Sequence, residues 1–158
     1  MMAPRTGGRD AAERWFPVVG DDAVGPGLTV APTQPRRGVV LVRVLGEIDM
    51  LTVQHLRDVV EGAIGAVADE RDGELMAPGE VPSVICDLEG VTFLGASGLD
   101  VFAAVHETAV ERGVHLVLVA AHRTVVRPLH LTALDRRLTV TPAHPEVGRV
   151  AAPGRFSR

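Results

Sequence analysis

Hydrophobic positions along this chain change their spacing in blocks. Residues 39–45 read Val-Val-Leu-Val-Arg-Val-Leu, a β-branched and nearly continuous apolar run that predicts a strand with both faces covered or nearly so. Residues 28–31 form a shorter strand candidate before it. Over 51–67 the period becomes helical: Leu56, Val59/Val60, Ala63/Ile64 and Val67 share one face, with Arg57, Asp58 and Glu61 largely opposite. Either Asp49 or Thr52 suits the start of that helix as a cap. A second buried-type strand is predicted over 83–88 and a second helix over 98–111, with Gly113 placed for its C-terminal cap. A strand over 115–119, a third helix over 124–134 and a last strand over 138–140 complete the pattern. In that third helix Pro128 is tolerated only if it falls in the first turn.

The order β-β-α-β-α-β-α-β predicts an α/β domain. Its sheet is mixed, mostly parallel, of about four or five strands packed against helices. Residues 1–26 show no period and read as a flexible N-terminal tail, although Trp15-Phe16-Pro17-Val18-Val19 could instead dock on the domain or bind a partner. The domain is expected over 27–143, followed by a C-terminal tail over 144–158.

Charge and composition narrow the functions. The net charge is −4, and all of it sits in 69–80, which holds five acids and one Arg. That stretch reads as a solvated acidic loop, with a docking surface for a basic partner as the sharper alternative. Residues 121–158 carry seven Arg against Asp135 and Glu146, too thin for a nucleic-acid footprint. With no Tyr and only Trp15, Phe16, Phe93, Phe102 and Phe156 as aromatics, base stacking on single strands is disfavoured too. No apolar run approaches the roughly 20 residues of a membrane span, and the first residues lack the apolar core of a signal peptide. A cytoplasmic protein without membrane or direct nucleic-acid contacts is the expectation, and the oligomeric state stays open.

Enzyme signatures are missing. The chain has no Lys, so a phosphate-binding Gly-Lys-[Ser/Thr] loop is impossible. Ser97 lies in Gly95-Ala96-Ser97-Gly98-Leu99, which is not a nucleophile elbow. The six His residues form no ligand pair, so neither metal nor cofactor is expected. Cys86, the single cysteine, reads as a small core hydrophobe. Asp49 and Asp87 fall at predicted strand ends, where α/β sites lie, but lack a nucleophile beside them. Ser97-Gly98-Leu99-Asp100 also matches a capping-box start, with Ser97 as the helix cap.

One segment is distinctive: Asp87-Leu88-Glu89-Gly90-Val91-Thr92-Phe93-Leu94-Gly95-Ala96-Ser97-Gly98-Leu99. It reads as a strand ending at Asp87, a short apolar loop and a small-residue turn opening a helix. It resembles the signature of STAS domains of the anti-sigma factor antagonist branch, roughly Asp-Leu-Ser-x-Val-x-Phe-Leu-Asp-Ser-[Ser/Thr]-Gly-Leu. Gly46-Glu47-Ile48-Asp49, the block from Glu111 to Val119 and Arg127-Pro128-Leu129-His130-Leu131-Thr132-Ala133-Leu134-Asp135 resemble further family pieces in order. The likeness covers roughly 27–143.

The resemblance implies a non-enzymatic partner switch. Such a domain docks an anti-sigma factor, usually a serine kinase of the histidine-kinase-like ATPase type, and so frees a sigma factor. Phosphorylation of the first Ser in the Asp-Ser-[Ser/Thr]-Gly turn ends the complex. The implied docking face holds Glu47, Asp49, Thr52, Gly95, Ala96, Ser97, Gly98 and Leu99. Here Gly95 stands at the family's Asp and Ala96 at its phosphorylated Ser. Ser97 could serve only as a displaced phosphoacceptor, if the turn slips by one residue. Ala133 replaces a family Gly, so a positive φ is not expected there. A degenerate STAS scaffold or sensor, and a small ligand-binding α/β protein using Asp49, Asp87 and Ser97, are the alternatives.

Overall fold

The structure, a computed structural model, describes residues 27–145. The expected tail over 1–26, and that over 144–158 from residue 146 onward, lie outside the described residues. Five strands form one sheet in the order β1-β2-β3-β4-β5. They are β1 (Leu28–Arg36), β2 (Val39–Ile48), β3 (Ser83–Leu94), β4 (His115–Val119) and β5 (Thr139–Thr141). β1 runs antiparallel to β2, and every other pair is parallel. Three helices connect them: α1 (Val53–Asp72), α2 (Ala96–Arg112) and α3 (Arg123–Leu131). A 3₁₀ turn (Leu134–Arg136) precedes β5. The mixed, mostly parallel α/β sheet read from the sequence is the one observed.

Side-chain alternation divides the sheet into two faces. Val40, Val42 and Val44 of β2, Val84, Cys86 and Leu88 of β3, and Leu116 and Leu118 of β4 join the main core. All three helices contribute to that core, through Leu56, Val60, Ile64 and Val67 of α1, Phe102 and Val105 of α2, and Val125 and Leu129 of α3. The opposite parity gives a smaller cluster of Val39, Ile85, Val117 and Val119, with Leu41 packed against it. Cys86 is fully buried, and burial pushes its thiol up to about 12. It is the inert core residue expected.

Several boundaries moved. β1 runs through Pro32 and Pro35 to Arg36, beyond the expected 28–31. An edge strand tolerates proline because the missing N–H can face outward. β3 continues through 89–94, so the expected apolar loop is strand, and Asp87 lies in its interior rather than at its end. Register shifts after Arg43 and after Gly46 absorb the mismatch with β2. α3 stops at Leu131 with Pro128 as its sixth residue, past the first turn. Ala133 then takes φ 61°, against expectation. Its N–H reaches the His130 carbonyl at 3.0 Å, and the Thr132 hydroxyl donates to the Pro128 carbonyl at 2.8 Å, so the helix end is satisfied despite the missing glycine. Gly113 caps α2 at φ 69°, as expected.

The acidic stretch is not wholly a loop. α1 runs to Asp72, so 69–72 form its last turn. Glu70 is 1% exposed there. Its carboxylate accepts both Gln34 Nε2, at 2.9 and 3.0 Å, and the Gly38 backbone N–H. A buried carboxylate thus ties the end of α1 to the β1–β2 hairpin. Asp69 meets Arg112 at 3.2 Å, joining the ends of α1 and α2.

Two histidines couple this core to pH. Burial lowers His106, helped by Arg137 and opposed by Glu107, and burial with His106 nearby lowers His115. A histidine lowered in the fold binds protons better when unfolded. Its contribution is therefore complete above the ordinary histidine range and is lost as pH falls through it. The urea midpoint should drop between pH 7.5 and pH 5.5, and the drop should shrink in a His106→Gln/His115→Gln variant.

Candidate functional site

The turn after β2 and the start of α2 meet at the carboxyl end of the central strands. Glu47 pairs with Phe93 and Ile48 with Leu94 in the parallel register. The Gly95 N–H then donates to the Ile48 carbonyl at 2.9 Å, fastening the second turn to the first.

Side chains lock the first turn. Asp49 Oδ1 accepts the N–H groups of Leu51 and Thr52 at 2.9 and 3.1 Å. Thr52 Oγ1 donates to the Glu47 carbonyl at 2.9 Å and accepts the Asp49 N–H at 3.0 Å. Thr52 stands at the N-cap of α1 but makes no side-chain cap bond, so these contacts hold the turn before the helix rather than its first N–H groups, and neither expected cap performs that role. With the backbone held this way, Met50 and Leu51 stand 80% and 88% exposed.

The second turn owes its shape to small residues. Gly95 is the N-cap of α2, in extended conformation and without a side-chain bond. A Cβ on Gly98 would lie 2.6 Å from both Ile48 Cγ2 and Leu94 Cδ1, so only glycine lets α2 approach the strand ends this closely. Ala96 is the first helical residue and is exposed; Ser97 is the second and is half-buried. Ser97 is therefore not the cap that its capping-box pattern suggested. Ser97→Ala should change stability by less than about 0.5 kcal/mol, read from urea midpoints.

Of the expected docking residues, Glu47 and Ala96 are exposed, and Asp49, Gly95, Ser97 and Leu99 are half-buried. Thr52 and Gly98 are buried and support the surface from beneath. Sequence reasoning missed Met50, Leu51 and Phe93. Phe93 is 48% exposed, and its ring approaches Gly95, where a Cβ would lie 3.2 Å from it. The signal available was the apolar pair Met50-Leu51 directly after the Gly46–Asp49 motif, of which the predicted helix over 51–67 takes in only Leu51. Apolar side chains beside an uncapped helix start form a surface suited to a protein partner.

The two carboxylates considered for catalysis are separated. Asp87 pairs in register with Arg43, six residues before Asp49 on the adjoining strand, or about 20 Å away. Asp87 is held by His144 Nε2 at 2.9 Å, by Arg43 Nε at 3.8 Å and by the Glu89 N–H at 3.0 Å. No group of three or more His, Cys, Asp or Glu side chains among the described residues could hold a metal ion. No helix among them is long and apolar enough to cross a membrane.

Comparison with known proteins fits this geometry. The family model described as the STAS domain matches residues 31–147. The chain belongs to the STAS domain family. This STAS domain is 33% identical over 99 residues to the anti-sigma-F factor antagonist RsfB of Mycobacterium tuberculosis, covering 63% of this chain and 70% of that relative. That likeness places it in the anti-sigma factor antagonist branch. A crystal structure of an anti-sigma factor antagonist from Mycobacterium paratuberculosis superposes with TM-score 0.54 and 32% identity, over 76% of this chain and 91% of that one. The antagonist SpoIIAA in its unphosphorylated form shares the fold, with TM-score 0.53 and 18% identity over 73% and 90% of the two chains.

Proposed function

We propose that this STAS domain docks an anti-sigma factor of the serine-kinase ATPase type and so releases a sigma factor. The docking face is the 46–52 turn with the start of α2: Glu47, Asp49, Ala96, Ser97 and Leu99, extended by Met50, Leu51 and Phe93. We further propose that phosphorylation does not end this complex, because Ala96 stands where the family's acceptor serine would be. The observation that carries the reading is the exposed Ala96 at the first position of α2, beside the exposed Met50 and Leu51. A methyl group cannot accept phosphate. The half-buried Ser97 lies one residue further along the helix.

A pull-down from the native cytoplasm, read by mass spectrometry, tests the partner. Recovery of an ATPase-type anti-sigma factor is expected. Recovery of other STAS-type proteins alone would instead favour a scaffold. Leu51→Asp should weaken capture about tenfold, since it puts a charge into an interface that buries an apolar side chain. Because Leu51 is exposed, its circular dichroism and urea midpoint should stay unchanged.

A further inference from the structure

Among the described residues, no helix joins the apolar cluster on the second sheet face. Val39, Val117 and Val119 are 0% exposed and Ile85 is 1% exposed. Among the described residues, their cluster contains strand residues only. A valine in the middle of an open sheet face keeps part of its surface in water; these keep none. Toward the upper end of this face the chain turns back after β5 and sets His144 against Asp87. Val39, Leu41, Ile85 and Val117 lie lower, on β2, β3 and β4.

We propose that Trp15-Phe16-Pro17-Val18-Val19 packs across this second face. Five consecutive apolar residues make it the densest apolar run outside 27–145. A Trp and a Phe bury about 150–250 Å² each, enough to cover a strip three strands wide. The reach fits as well. Gly27 is fixed beside Glu47 by the Glu47 N–H donating to its carbonyl at 2.6 Å. From there Leu41 lies six residues down β2, about 20 Å, and β3 lies about 10 Å across from β1. The eight steps from Val19 to Gly27 span up to about 26 Å, which covers that diagonal of about 22 Å. The segment 146–158 is the weaker candidate: its apolar residues Val147, Val150 and Phe156 are scattered among Glu146, Arg149, Arg155 and Arg158.

Trp15 is the only tryptophan, so its fluorescence reports this contact alone. In the full chain its emission should be blue-shifted. Its acrylamide quenching constant should be several-fold below that of the urea-unfolded chain and independent of protein concentration. Leu41→Gln, at a half-buried position on this face, should raise quenching at least twofold with circular dichroism intact; Val59→Gln, on the helix side, should not. Unfolded-like quenching, shielding lost on dilution, or shielding indifferent to Leu41→Gln would each overturn the proposal. Should Leu41→Gln fail to fold, nuclear Overhauser contacts in the unaltered chain decide. Contacts from the Trp15 ring to Ile85 and Val117 methyls support the proposal, and their absence refutes it.

Discussion

Glu70→Ala is expected to lower stability by about 3 kcal/mol, because hydrogen bonds to a charged group contribute about 1.5–3 kcal/mol each. The buried Gly38 N–H would lose its acceptor, Gln34 would lose both of its contacts, and a void would open at the end of α1. In a domain of this size the thermal midpoint should fall by about 10 °C. Glu70→Gln should cost less than half as much, since one amide oxygen can still accept the Gly38 N–H while its amide nitrogen faces Gln34. Urea unfolding of the three proteins checks this. Equal midpoints for Glu70→Ala and the parent would show that the carboxylate does not hold the hairpin.

The same residue marks where the sequence stopped being legible. Glu70 sits among five acids in a Gly- and Pro-containing stretch, and local composition reads such a stretch as solvated. Its partners lie 36 and 32 residues earlier in the chain, on another element, and no local pattern reports them. The alternation of strands and helices was readable because each apolar period is local. The length of β3 was not: Glu89, Gly90 and Thr92 interrupt the apolar run, and only the register shifts against β2 keep it paired to Leu94. At the site, the Gly46–Asp49 and Gly95–Gly98 motifs were legible as motifs. Their junction, a backbone bond from Gly95 to Ile48, was not. Ser97 matched a cap by spacing, yet a glycine opens the helix two residues earlier. Ala133 was judged by residue preference, while the bonds that hold its turn, from its own N–H to the His130 carbonyl and from the Arg136 N–H to its own carbonyl, are backbone bonds that residue type does not report.

Ala96→Ser is expected to install a phosphorylation switch at the start of α2. The hydroxyl would stand at the exposed first residue of α2, where a kinase can reach it. Phosphate would add about −1.5 to −2 charges. The positive end of the helix tolerates that anion in the free domain. In the complex it would have to be desolvated against an apolar surface, beside the acidic Glu47. Phosphorylated Ala96→Ser is therefore expected to bind the anti-sigma factor about 100-fold more weakly than the parent, or about 2.8 kcal/mol. The unphosphorylated variant should bind like the parent. Mass spectrometry after incubation with the kinase and ATP, followed by calorimetric titration, reads both effects. Phosphorylation without loss of affinity would mean that the start of α2 lies outside the interface.

We propose, above all, docking through the Met50–Leu51–Phe93 surface without release by phosphorylation. Its most direct test is calorimetric titration of the unaltered chain with the anti-sigma kinase, before and after prolonged incubation with ATP. The same affinity in both cases and no phosphate on the chain are expected. Stoichiometric phosphate on Ser97, abolished by Ser97→Ala and accompanied by loss of the complex, would contradict it.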